Sequence, residues 1–171
     1  MKVRMDFVTN SSSSSFILAF KDKDNATAAI IDSLKYNPEA LGYVLRDITE
    51  AQPLSEKQLQ ERLQDEAESY AYMKMHYGDG GWWSSRKPTF ENEFLKNHPD
   101  YDCWTMREHP DYIAERERLM DVYITDIRKK LEGKPYVVEI EYSDNDGTLF
   151  SELEHHIMPH VNGVVAVCNH H

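Results

Sequence analysis

Residues 135–168 read PYVVEIEYSDNDGTLFSELEHHIMPHVNGVVAVC, and this stretch decides the fold. Tyr136, Val137, Val138, Ile140 and Tyr142 are β-branched or aromatic, so 135–142 reads as a strand. Ser143 to Gly147 is a polar turn. From Thr148 to Met158 the apolar residues Leu149, Leu153 and Ile157 recur every four positions, the spacing of one helical stripe. Gly163 to Cys168 is a second strand. Strand, helix and strand within about thirty-five residues predict a βαβ unit, whose two strands usually run parallel.

Working outward, Lys2 to Val8 alternates Val3, Met5 and Phe7 with Arg4 and Asp6, the pattern of a half-buried strand. Phe16 to Phe20 is a short apolar run of strand length. Between them lies the serine run Ser11 to Ser15, which reads as a structured loop. Asn25 is placed to cap a helix carrying Ala28, Ile30, Ile31 and Leu34, which ends before Asn37-Pro38. A weaker helix covers Glu39 to Ile48. Ser55 and Gln58 have capping-box spacing and open a helix with Leu59, Leu63, Ala67 and Tyr70 on one face, running to about Tyr77. Gly78 to Gly81 breaks it, and residues 82–88, WWSSRKP, read as an ordered loop. The string His98-Pro-Asp-Tyr101 recurs as His109-Pro-Asp-Tyr112, and both copies read as helix starts, with Pro at the first helical position. The second opens a long helix closed by Lys129, Lys130 and Gly133. The sum is an α/β or α+β protein. It is a single domain over residues 1–171, with a small sheet of three or four strands that ends in the C-terminal βαβ unit. A large helical insertion, about residues 38–133, separates the N-terminal from the C-terminal strands.

Composition narrows the function. The 171 residues carry 19 Lys+Arg against 30 Asp+Glu, a net charge of −11. Such a balance argues against direct nucleic-acid binding and against anionic membranes, both of which need a basic surface. No apolar run has the ~18–20 residues of a membrane span, and the N-terminus lacks the apolar stretch of a signal peptide. Cys103 and Cys168 cannot form a disulfide framework, which points to the reduced cytoplasm.

Five of the eight histidines (His155, His156, His160, His170 and His171) fall in the last seventeen residues, with Cys168 among them. Imidazole nitrogen and thiolate sulfur suit a zinc-like divalent ion, and carboxylates can complete its shell. Sites on parallel sheets gather at the carboxyl ends of the strands. Asp144 and Asp146 follow one such end; Cys168, His170 and His171 lie at the other. These five are the candidate metal ligands, with Asp144 and Asp146 also candidate bases. Glu152, His155 and His156, on the intervening helix, are secondary candidates, Glu152 and His156 sharing a face at i, i+4. The cluster lacks HExxH and CxxC spacing, and an EF-hand frame fails because its first position would be Tyr142. The plain alternative is a few surface histidines near a frayed terminus.

The serine run is the second candidate, because hydroxyls and amides between two strands can hold an anion; Ser11 and Ser12 are candidate catalytic groups. No Walker-type or G-x-S-x-G pattern accompanies them. The third is Trp82, Trp83 and Arg86, a candidate partner-binding patch that reads also as a loop folded over the core. The segment 7–17, FVTNSSSSSFI, resembles the opening of a loose group of uncharacterised clostridia-type and mobile-element proteins. Some of these are also similar in ending with an acidic turn followed by paired histidines. The resemblance implies no activity, but it implies that the serines and the terminal histidines belong to one site.

Two functions from different classes follow. The first is a divalent-metal or acid–base site, hydrolase-like, built by the C-terminal βαβ unit and the serine-rich loop. The second is a non-enzymatic acidic regulator or inhibitor, of phage or mobile-element type, that occupies a basic surface on a host protein.

Overall fold

A computed structural model describes residues 13–78, 89–143 and 147–170, with the side chains of Asn169 and His170 left aside. The expected strand at Lys2–Val8 lies outside them. The chain divides into two compact units, one made of residues 1–54 and 131–171, the other of Ser55–Lys130. The helical insertion therefore begins at Ser55, and the helix near residues 38–50 belongs with the sheet.

In the first unit, β1 (Ser13–Phe20) is the central strand. It pairs antiparallel with β2 (Tyr136–Ser143) on one side and with β3 (Val164–His170) on the other. Both β2 and β3 oppose β1, so they run the same way as each other, but β1 lies between them. The expected βαβ unit is thus a split one, and the antiparallel sheet makes the protein α+β. The expectation of a loop through Ser15 is corrected too: Ser13, Ser14 and Ser15 are the first residues of β1. Serine has weak strand preference by itself, and pairing on both sides overrides it.

Alternation assigns the faces. Phe16, Leu18 and Phe20 of β1 point to one side with Val138, Ile140 and Tyr142 of β2. They pack under α1 (Lys23–Leu34), through Ala26, Ile30 and Leu34, and under α2 (Pro38–Glu50), through Ala40, Val44 and Ile48. Asp22 rather than Asn25 caps α1, its carboxylate accepting from the Asn25 N–H at 2.8 Å. Asn37 caps α2, with Pro38 in the first turn. Ser15, Ile17 and Ala19 take the other face, in register with Cys168 and Ala166 of β3. Gly163, at φ 102°, leads into β3, and a Cβ there would sit 2.2 Å from the Phe20 ring. Only glycine satisfies both the dihedral and the contact.

The connection from β2 to β3 is not one helix. α6 (Thr148–Glu152) passes into a π-helical turn, Leu153–Ile157, and then a 3₁₀ turn, Met158–His160. Pro159 has no N–H to give the carbonyl four residues back, and the Met158 N–H instead reaches the Leu153 carbonyl, five back. The wider turn breaks the i, i+4 alignment expected of Glu152 and His156, and both side chains are exposed.

In the second unit, α3 (Glu56–Tyr77) opens on the expected Ser55–Gln58 capping box and buries Leu59, Leu63, Ala67, Ala71 and Met75. α4 (Phe90–Asn97), capped by Thr89, is an element the sequence reading did not find. α5 (Pro110–Leu131) starts at the second His-Pro. The first His-Pro closes α4 instead of opening a helix. His98 is its C-cap, and Pro99 forbids continuation.

Candidate functional site

The carboxyl ends of β2 and β3 do reach one edge of the sheet, where Ser143 and His170 both stand opposite Ser13. With β1 between them, the two backbones are two strand spacings apart, about 10 Å. The Cys168 side chain is 1% exposed, within the sheet face that also carries Ser15 and Ala166. Asp144, Asp146, His171, Ser11, Ser12, Trp82, Trp83 and Arg86 lie outside the described residues, as does the His170 side chain. Glu152, His155 and His156 point into solvent, the two imidazole rings 6.3 Å apart. Among the described residues no group of three ligating side chains forms at this end of the chain.

Such a group forms in the helical unit. One ligand atom each from His98, His109 and Asp111 lies within 4.8 Å of the others. The geometry grows from two helix ends meeting: α4 terminates at His98, the 3₁₀ turn Thr105–Glu108 reverses the chain, and His109 introduces α5. The two imidazole rings are 4.7 Å apart. Phe94 stacks on His98 at 4.4 Å and meets His109 edge-on at 5.0 Å, while Tyr101 stands edge-on to His109 at 5.1 Å. These walls fix the rings. The Asp111 carboxylate is exposed and can turn.

His109 has a second duty. Its Nδ1 accepts the Asp111 N–H at 3.1 Å, standing in for the usual cap oxygen of α5. In the neutral ring the proton therefore belongs on Nε2. Taking up an ion at either nitrogen exchanges this cap bond, or the Nε2 proton, for a metal bond. Zinc–nitrogen bonds of ~2.0–2.1 Å place tetrahedral donors about 3.3 Å apart, so ligand atoms that stand up to 4.8 Å apart must draw in by as much as ~1.5 Å. The His-Pro-Asp-Tyr repeat was the visible signal. That its first copy ends a helix, which brings the two histidines together, was not.

Two buried carboxylates were missed altogether. Glu91, on the first turn of α4, is 6% exposed and bridges the Tyr112 hydroxyl, which donates to Oε1 at 3.1 Å, and His76 Nδ1. Tyr72 stacks on His76 at 5.4 Å and Tyr77 meets it edge-on. Burial first, then the negative charge of Glu91 and its hydrogen bond, push the Tyr112 hydroxyl up to about 12; Arg107 and Arg116 oppose the shift. Glu154, in the π-helical turn of the sheet unit, is 2% exposed. Its Oε1 accepts from Ser14 Oγ at 2.9 Å, while Oε2 is buried without a hydrogen-bond partner, 3.8 Å from His155 Nε2. Neither was marked in the sequence, where α4 shows no clear apolar period and Glu154 lies off the Leu149, Leu153 and Ile157 stripe.

No known family model, curated protein or solved structure matches this chain. No helix among the described residues is long and apolar enough to cross a membrane.

Proposed function

We propose that the protein binds a zinc-like divalent cation through His98, His109 and Asp111, and acts by metal-assisted, hydrolase-like chemistry in the cytoplasm. The observation that carries this reading is the approach of three ligating atoms to within 4.8 Å. Three protein donors leave a coordination position for water, the arrangement of hydrolytic rather than structural zinc centres. Phe94 and Tyr101 hold the two imidazole rings in place, which supports their use as ligands.

Zinc titration of the untagged, metal-free protein by calorimetry tests it. One ion per chain is expected, lost in a His98→Ala/His109→Asn variant; asparagine keeps an acceptor for the start of α5. A His170→Ala/His171→Ala variant should bind as the parent does. Loss of zinc in that variant alone moves the ion to the carboxyl end of the sheet and overturns the assignment, as does a parent protein that takes up no ion. The second reading, an acidic regulator that covers a basic surface on a host protein, draws support from the net charge of −11. It gains ground if the metal-free protein takes up no zinc.

A further inference from the structure

A cleft of about 320 Å³ opens in the helical unit, and none of the three residues proposed to hold the ion lines it. Its lining comes from Glu68, Ser69 and Tyr72 of α3, Tyr112 and Arg116 of α5, and Arg107 of the 3₁₀ turn. The spacing is helical on both sides: Glu68 and Tyr72 are four apart, as are Tyr112 and Arg116, so each pair shares a face.

The charges in this cleft are unusual for this chain. With 30 acidic against 19 basic residues, guanidinium groups have carboxylates to spare, and Arg46, Arg118 and Arg128 each take one. Arg107 and Arg116 take none among the described residues, and the Glu68 carboxylate, in the same cleft, pairs with neither. Arg107 instead lies 5.8 Å over the Tyr72 ring and 5.5 Å from the Trp104 ring, a stacked position that leaves its forked N–H edge available. Tyr112 commits its proton to Glu91 at 3.1 Å, so its oxygen lone pairs are the free hydrogen-bonding capacity it offers.

We propose that this cleft binds a small zwitterion with two carboxylates and one ammonium group, the charge pattern of an acidic amino acid. Arg107 and Arg116 each take a carboxylate through paired N–H donors, a geometry that guanidinium matches and ammonium does not. The ammonium group meets the Glu68 carboxylate, with Tyr112 and Ser69 oxygens as further acceptors. Tyr72 supplies an apolar wall for the carbon chain. The net positive charge of the cleft and the net negative charge of such a ligand cancel. A cavity of this volume stands at the small end of ligand sites, which suits a molecule of amino-acid size.

Calorimetry with four probes tests the proposal: L-glutamate, glutarate, which lacks the ammonium group, 4-aminobutyrate, which lacks one carboxylate, and inorganic phosphate. L-glutamate should bind, with glutarate and 4-aminobutyrate each weakened ~10-fold or more, the loss expected for one charged hydrogen-bonding partner. Arg107→Gln and Arg116→Gln should each weaken L-glutamate by ~10–100-fold. Both side chains are exposed, and retained helical circular dichroism checks the fold. Arg118→Gln, whose arginine pairs with Glu115 outside the cleft, should leave binding as in the parent. No heat with L-glutamate at millimolar concentration, binding unchanged in both arginine variants, or phosphate binding as tightly as L-glutamate would each overturn the assignment.

Discussion

The sheet unit and the helical unit solve the problem of burial differently. Around β1, among the described residues, fifteen buried side chains from strands and helices form one continuous cluster, nearly all aliphatic or phenylalanine. Among the described residues between 55 and 130, small buried groups stand out, Met75, Phe94, Met106 and Tyr112 in one, Ala67, Ala71 and Met120 in another. Histidines, tyrosines and the buried Glu91 stand among these groups, and the sheet unit has a buried carboxylate of its own in Glu154. Paired imidazoles, the Tyr112–Glu91–His76 chain and two arginines without carboxylate partners among the described residues all occur in the helical unit. A thin core leaves polar groups close enough to solvent to meet a ligand and close enough to one another to be oriented.

The contrast can be broken most directly in the core. Leu18 is fully buried in the middle of β1, and Leu18→Ala should cost ~3–5 kcal/mol in urea denaturation followed by circular dichroism. Met120→Ala removes a side chain of similar size from a small cluster where it is 8% exposed, and should cost only ~2 kcal/mol. Equal costs would mean the two interiors are equally tight, and the distinction would fall. A smaller effect sharpens the account of the helical unit. Ser55 accepts from the Gln58 N–H at the start of α3, and Ser55→Ala should cost about 1 kcal/mol by the same measurement. The least effect is a dependence on pH. The Tyr112 hydroxyl is pushed above its ordinary 10.0 to about 12, so the folded state keeps that proton where the unfolded state sheds it. Its contribution to stability is whole below about 10 and falls as pH rises towards about 12. Tyr142, also raised by burial and then by Asp47, slopes the same way. Tyr112→Phe should therefore reduce, and not abolish, the loss of stability between pH 9 and pH 11, read from urea midpoints.

Much of the fold was legible in the sequence, for reasons that can be named. The Ser55–Gln58 box and the four-residue recurrence of Leu59, Leu63 and Ala67 are local signals, and α3 begins and ends where they place it. Tyr136–Ser143 and the valines of β3 carry strand preference in their own side chains. What escaped was non-local. The serines of β1 look like a loop until two partner strands supply their hydrogen bonds, and the order β2–β1–β3 is written in no local pattern. α4 is short and follows the tryptophan segment, so its few apolar positions gave no clear period. The candidate ion site shows the same limit. His98 and His109 stood out as a repeat, but their approach depends on the 3₁₀ turn Thr105–Glu108, whose shape no spacing revealed. Glu91 and Glu154 are hidden by type, since glutamate is ordinarily counted as surface.

The place of β1 in the sheet bears on how the polypeptide is made. Its backbone needs neighbours on both sides, and both come from segments that the ribosome delivers only after residues 55–130. Until then an apolar ribbon from Phe16 to Phe20 must wait without its mates while the intervening helices assemble, with an exposed edge on either flank. Shielding by a nascent-chain chaperone during that interval would matter more to yield than to the stability of the finished molecule, and slow synthesis would lengthen the risk.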